Sequence, residues 1–172
     1  MVKGILSIVI FVFFVIIGYL YGEIYRKRPS DLKEWNKAIL FLQNEILYNN
    51  TPIPIALNKV GMKVAEPIKK LFLSLSSNLY NNNIDSLNLE FHKIYRENKL
   101  DFYINEDDEV IIRDFFKGIQ ESTSYGIDKV FNLTLENLKI NILESEELAK
   151  KNTKLYRSLG LCIGAMISIL II

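Results

Sequence analysis

Leu32, Trp35, Ile39, Leu42 and Ile46 recur at alternating three- and four-residue spacing. That is the period of one face of an α-helix, and it predicts a helix over residues 30–48 with a single apolar stripe, capped by Ser30 or Asp31. Two asparagines then turn the chain. Thr51 offers a side-chain oxygen to the next helix's free amides, and Pro52 sits where a missing N–H costs nothing. Pro54 still falls in the first turn, so a second helix is expected over residues 51–60, with Ile55, Leu57 and Val60 inward and a break near Gly61. Glu66-Pro67 opens a third, whose Ile68, Leu71, Phe72, Leu75 and Leu79 share a face that ends at Asn81-Asn82-Asn83. A fourth runs from Asp85 to about Lys99 with Leu87, Phe91, Ile94 and Tyr95 on one side. Asn105 caps a fifth, carrying Ile111, Ile112, Phe115, Phe116 and Ile119. The last and longest, over residues 123–157, bears Ile127, Val130, Phe131, Leu135, Leu138, Ile142 and Leu148, and at 1.5 Å per residue would be on the order of 50 Å long. No alternating pattern predicts a strand, and no fixed-period repeat or low-complexity linker interrupts the series.

Both ends of the sequence read differently. Residues 5–21 form an uncharged apolar run, which as a helix would be roughly 25 Å long and nearly crosses a bilayer. A secretory signal peptide is the competing reading, but Tyr19, Tyr21 and Glu23 give no small-residue cleavage pattern. Lys3 alone precedes the run, whereas Arg26, Lys27 and Arg28 come directly after it, so the positive-inside rule puts the central part of the chain in the cytoplasm. Residues 158–172 are likewise uncharged and come after Lys150, Lys151, Lys154 and Arg157. At roughly 22 Å this run is short for a span, and a core helix or a segment lying on the membrane is the alternative. Concordant basic flanks favour a two-span hairpin around a cytoplasmic domain. The expected organisation is a membrane helix over residues 1–25, a helical bundle over 26–157 and a short membrane or membrane-associated helix over 158–172. Gly18 and Gly22, and Gly160 and Gly164, each sit four residues apart and would let helices approach closely, within the chain or between copies in a homo-oligomer. The fold class is all-α: a cytoplasmic antiparallel six-helix bundle flanked by membrane helices.

Of the 172 residues, 49% are hydrophobic, and the net charge of +1 hides an uneven distribution. Between positions 100 and 149 there are 4 basic residues against 12 acidic ones. Asp107, Asp108, Glu109 and Asp114, and separately Glu144, Glu146 and Glu147, are the dense parts. They read either as a solvated face with favourable helix-dipole placement or as a docking surface for a basic partner. Basic residues cluster at the membrane boundary, which disfavours nucleic-acid binding. Cys162 is the one cysteine and lies in an apolar run, so there is no disulfide framework or cysteine metal site. His92 is the one histidine and sits in an amphipathic helix beside Phe91 and Lys93, a poor setting for a general base. Lys59-Val60-Gly61-Met62-Lys63 lacks the spacing of a phosphate-cradling loop. No catalytic, cofactor or metal site is expected, and the residues alone lead to a membrane-anchored helical module that is not an enzyme.

Glu45-Ile46-Leu47-Tyr48-Asn49-Asn50-Thr51-Pro52-Ile53-Pro54-Ile55-Ala56-Leu57 resembles the signature of the stage III sporulation protein AB family. Residues 151–160, Lys-Asn-Thr-Lys-Leu-Tyr-Arg-Ser-Leu-Gly, are similar to that family's lysine-rich lead-in to an apolar tail. Glu45, Tyr48, Thr51, Pro52 and Pro54 carry the motif; Ile53 stands where leucine is usual, and Ile55 where an acidic residue is expected. Those motif residues either fix how two helices meet or contact a partner. The resemblance implies a component of an eight-protein assembly in the mother-cell membrane of endospore formers, part of a channel to the forespore. It also implies likeness to the inner-membrane platform proteins of type II secretion and type IV pilus systems, whose six-helix cytoplasmic domains contact a hexameric ATPase. The partners so implied are a cytoplasmic sporulation ATPase, other membrane proteins of that complex and the lipid bilayer. A scaffold in another secretion or division complex, and a small membrane enzyme using acidic residues, are the rival functions.

Overall fold

The computed structural model describes residues 2–80, 86–122 and 124–171, and it is all-α: no strand occurs among them. Among the described residues there are seven α-helices, in order α1 (Val2–Ile24), α2 (Lys27–Gln43), α3 (Ile53–Gly61), α4 (Ile68–Tyr80), α5 (Leu87–Glu97), α6 (Glu106–Glu121) and α7 (Ser124–Ile171). A π-helical turn, Asn44–Tyr48, closes α2, and a 3-10 turn, Lys99–Asp101, comes after α5. The turn expected at Asn81-Asn82-Asn83 and the starts expected at Asp85 and Thr123 lie outside the described residues.

The chain divides into two compact units, Ser30–Ile142 and Met1–Pro29 with Leu143–Ile172. In the first, α2 to α6 and the opening turns of α7 enclose an aromatic core. Leu32, Trp35, Ile39 and Leu42 of α2 are fully buried, as their spacing predicts, and Ile46 packs against them. The Trp35 ring lies 5.9 Å from that of Phe72, 6.0 Å from Phe102 and 6.5 Å from Phe91, and Phe91 stacks on Phe116 at 4.4 Å. Each such pair adds about 0.5–1.5 kcal/mol beyond the area it buries. Phe131 and Leu138 bring α7 into the same core.

Element boundaries differ from expectation where local chemistry overrides periodicity. Helix α2 starts at Lys27, so Ser30 and Asp31 lie inside its first turns and not at its N-terminal boundary. Pro29 is tolerated there because the first N–H groups of a helix have no intrahelical partner. Asp31 instead accepts a hydrogen bond from the Tyr103 N–H at 2.7 Å. Helix α3 starts at Ile53, with Pro52 as its N-cap and Pro54 in the first turn. That later start turns Ala56, Leu57 and Val60 inward and leaves Ile55 36% exposed, so Ile55 is not a core residue. Helix α5 takes Ser86 as its cap, the hydroxyl accepting from the Leu89 N–H.

In the second unit, the expected last helix and the apolar run after it are one element. α7 continues unbroken through 48 residues to Ile171. Leu148, expected on a core face, is exposed. The bundle core ends at Ile142, and from Leu143 onward α7 is grouped with α1.

Candidate functional site

Glu45 organises the corner between α2 and α3. The π turn carries its side chain inward, where it is only 8% exposed. Its Oε2 accepts from Lys59 Nζ at 2.8 Å and from the Thr51 hydroxyl at 3.0 Å, and Lys63 Nζ stands 3.8 Å from Oε1. Thr51 therefore does not cap α3. Its hydroxyl donates back across the corner, and its N–H donates to the Glu45 carbonyl oxygen at 2.8 Å. Asn50 between them adopts φ 49°, a left-handed conformation that asparagine tolerates better than most residues. Tyr48 points away and is 72% exposed. Within the motif, Glu45 and Thr51 thus hold the turn, while Tyr48 and Pro52 face outward.

The hydrogen bond from Lys59 holds the Glu45 carboxyl below the usual glutamate range, its partial desolvation working the other way. A lowered folded pKa gives stability that is present above the unfolded value of about 4.3 and is lost as pH falls through the folded value. Acid unfolding followed by circular dichroism should therefore show this corner loosening below about pH 4. The Glu45→Gln variant should be less stable at neutral pH and lack that step; an unchanged acid profile in the variant would contradict the clamp.

The acidic residues expected to form a docking face separate into different environments. Asp108 is 0% exposed. It completes a capping box: its Oδ2 accepts from the Asn105 N–H at 3.1 Å while the Asn105 side chain accepts from the Asp108 N–H at 2.9 Å. Its other oxygen accepts from Asn141 Nδ2 of α7 at 2.7 Å. Glu109 is half-buried and pairs with Lys99 at 3.1 Å. Burial, together with that carboxylate, holds the Tyr95 phenol well above its usual range. Both Asp108 and Glu109 are thus engaged within the bundle, because the first turn of an amphipathic helix has an inner side too. Asp107 and Asp114 are exposed, seven residues apart on one face of α6. Glu144 and Glu147 are exposed and Glu146 half-buried, on the part of α7 grouped with α1.

In that second unit the glycines form the contact between α1 and α7. A Cβ on Gly18 would lie 2.7 Å from the Tyr156 carbonyl oxygen and 3.0 Å from the Gly160 Cα. One on Gly160 would lie 2.8 Å from the Phe14 carbonyl oxygen. Only glycine permits this approach of backbone to backbone. Gly22 faces Thr153 and Gly164 faces Phe11 and Phe14, so the two helices run antiparallel. Polar groups close one end: the Thr153 hydroxyl donates to the Gly22 carbonyl oxygen at 2.9 Å, and Arg157 pairs with Glu23 at 2.9 Å. The outward faces stay apolar. Val9, Phe13, Ile16 and Leu20 on α1, and Leu159, Ile163, Met166 and Leu170 on α7, are all exposed. Both helices are long and apolar enough to cross a membrane, and these faces are what lipid would cover. Membrane association is the consequence of the two apolar helices.

Lys59, Thr153 and Arg157 are the structural partners that spacing does not reveal. Lys59 lies fourteen residues from Glu45, and Arg157 lies 134 from Glu23, so only the fold pairs them. No group of three His, Cys, Asp or Glu among the described residues is arranged to hold a metal ion.

Comparison with known proteins places this architecture. The sequence model described as stage III sporulation protein AB matches residues 3–172. The chain is 23% identical over 154 residues to the stage III sporulation protein AB of Bacillus subtilis (strain 168), covering 90% of each. A solved structure of a stage III sporulation protein AB superposes with a TM-score of 0.66 at 19% identity, over 72% of this chain and 97% of that one. At that identity the superposition speaks for the fold.

Proposed function

The chain belongs to the stage III sporulation protein AB family, and from that premise we propose that it is a membrane platform component of the channel between mother cell and forespore, coupling a cytoplasmic secretion-type ATPase to the membrane complex during endospore formation. In this reading α1 and the second half of α7 span the mother-cell membrane around the forespore. The bundle faces the cytoplasm and both ends lie outside, an orientation that Arg26, Lys27 and Arg28 favour. The relatives are named as sporulation proteins and not as enzymes. In this reading the chain is a partner-binding transmitter.

One observation carries the coupling: α7 is an uninterrupted helix, with Phe131 and Leu138 in the bundle core and Gly160 and Gly164 against α1. A displacement of the bundle by a motor would reach the membrane hairpin through the one helix that belongs to both units. Asp107 and Asp114 are the exposed acidic positions of α6 offered to a basic ATPase surface, with Glu144 and Glu147 as a second acidic set. Tyr48, outside the motif's clamp, is the motif residue offered to a partner. The test is capture of the sporulation ATPase by the full chain in detergent at low and high salt. Binding should be present at low salt and fall steeply as salt is raised. Absence of binding at both would leave a scaffold without a motor.

A further inference from the structure

At the end of the hairpin next to the α1–α2 turn, charge and apolar surface meet in layers. Gly22 lies against Thr153, so the turn that follows α1, with Arg26, and the turn of α7 that precedes Thr153, with Lys150, stand at the same end of the hairpin. Lys150, Lys151 and Lys154 lie within little more than one turn of α7 and are all exposed. No ion pair or hydrogen bond engages these three lysines among the described residues. The acid on the opposing helix, Glu23, is already met by Arg157 at 2.9 Å and Arg26 at 3.3 Å. On α7 itself Glu146 and Glu147, one turn before Lys150 and Lys151, offset part of the lysines' charge and leave this end of the hairpin net positive.

Directly beyond this basic level stands a phenol layer. Tyr156 stacks on Tyr25 at 5.4 Å and their hydroxyls are 3.2 Å apart. Beside it the Arg157 guanidinium, paired with Glu23, lies over the Tyr19 ring at 4.5 Å, and past that neutralised pair the outward faces are hydrocarbon, with Phe13 and Ile16 on α1 and Leu159 and Ile163 on α7 exposed. Ammonium groups, then aromatic hydroxyls, then aliphatic side chains is the order in which a bilayer presents phosphates, the interfacial region and acyl chains. A zwitterionic headgroup would bring its own cation against the lysines, whereas an anionic one brings net negative charge.

We propose that this face of the hairpin binds anionic phospholipid, its headgroup phosphates on Lys150, Lys151 and Lys154 and its acyl chains along the exposed sides of α1 and α7. The proposal rests on the hairpin lying in the bilayer, and the experiment separates the two. Full-length protein is reconstituted in mixed phosphatidylcholine and phosphatidylglycerol, partly delipidated, and the retained lipid identified by native mass spectrometry. Phosphatidylglycerol should be enriched among the retained molecules, less so at high salt. The triple variant K150Q/K151Q/K154Q should lose about fivefold of that enrichment per lysine, with helix content by circular dichroism unchanged. Excess inorganic phosphate should leave the lipid in place, because the acyl chains contribute to its hold. Equal retention of the two lipids, undiminished enrichment in the triple variant, or displacement by phosphate would each overturn the lipid site. Flotation with pure phosphatidylcholine vesicles reads the anchor alone: a chain that floats without enrichment refutes only the lipid site, and one that does not float refutes both.

Discussion

The Gly160→Leu variant is expected to lose the close pairing of α1 with α7. Any side chain at this position begins with a carbon 2.8 Å from the Phe14 carbonyl oxygen and 3.0 Å from the Gly18 Cα, and neither is a flexible side chain that can swing aside. The helices must separate, forfeiting the contacts along the seam and costing about 1–3 kcal/mol or more, as overpacking does. Gly18→Leu should do the same, since its Cβ would stand 2.7 Å from a backbone oxygen. Gly22→Ala should be mild, because its nearest atoms stand at 3.4 Å. Spin labels at the exposed Ile16 and Leu161, in a Cys162→Ser background, read the result directly. The parent should give one narrow distance distribution and Gly160→Leu a longer, broader one. Identical distributions would mean that the glycines do not set the approach.

The second large effect is expected at Asp108. The Asp108→Ala variant removes half of the capping box and leaves the Asn141 amide of α7 and the Asn105 N–H without their acceptor. Loss of a cap costs about 1 kcal/mol and an unsatisfied buried donor about 1–3 kcal/mol, so a destabilisation of about 2–4 kcal/mol is expected. Asp107→Ala, one residue away and exposed, should change stability by less than about 0.5 kcal/mol. Urea unfolding of the two variants side by side checks the contrast. Equal midpoints would place Asp108 among the surface acids, contrary to its burial.

That contrast also marks what a sequence can reveal here. The apolar stripe of α2, the faces of α4, α5 and α6, and the Asn105 cap are legible because they depend on spacing within one helix. The glycine pairs are legible as candidates, but their mutual contact depends on two segments more than 130 residues apart. Asp108 and Asp107 look alike in sequence, and only the rotation of α6 sends one inward to Asn141. The corner motif is legible as a turn with two prolines. Its mechanism is not, since a π turn shifts the register at Glu45, which meets Lys59 across the corner, and α3 starts at Ile53 after Pro52 and not at Thr51. Periodicity assumes a uniform helix and has no means of signalling that extra residue. The single length of α7 is hidden for a simpler reason: a change from charged to apolar composition at Arg157 imitates an element boundary where the backbone has none.

Capture of the sporulation ATPase by the full chain, compared with the D107K/D114K variant at low and at high salt, is the measurement that bears most directly on coupling. Both substituted positions are exposed and Asp108 is left intact, so the bundle should stay folded by circular dichroism. Coupling through this face predicts salt-sensitive capture by the parent chain and at least tenfold weaker capture by the variant at low salt. Equal capture by parent and variant, insensitive to salt, would remove the acidic face of α6 from the interface; no capture by either would contradict the coupling role.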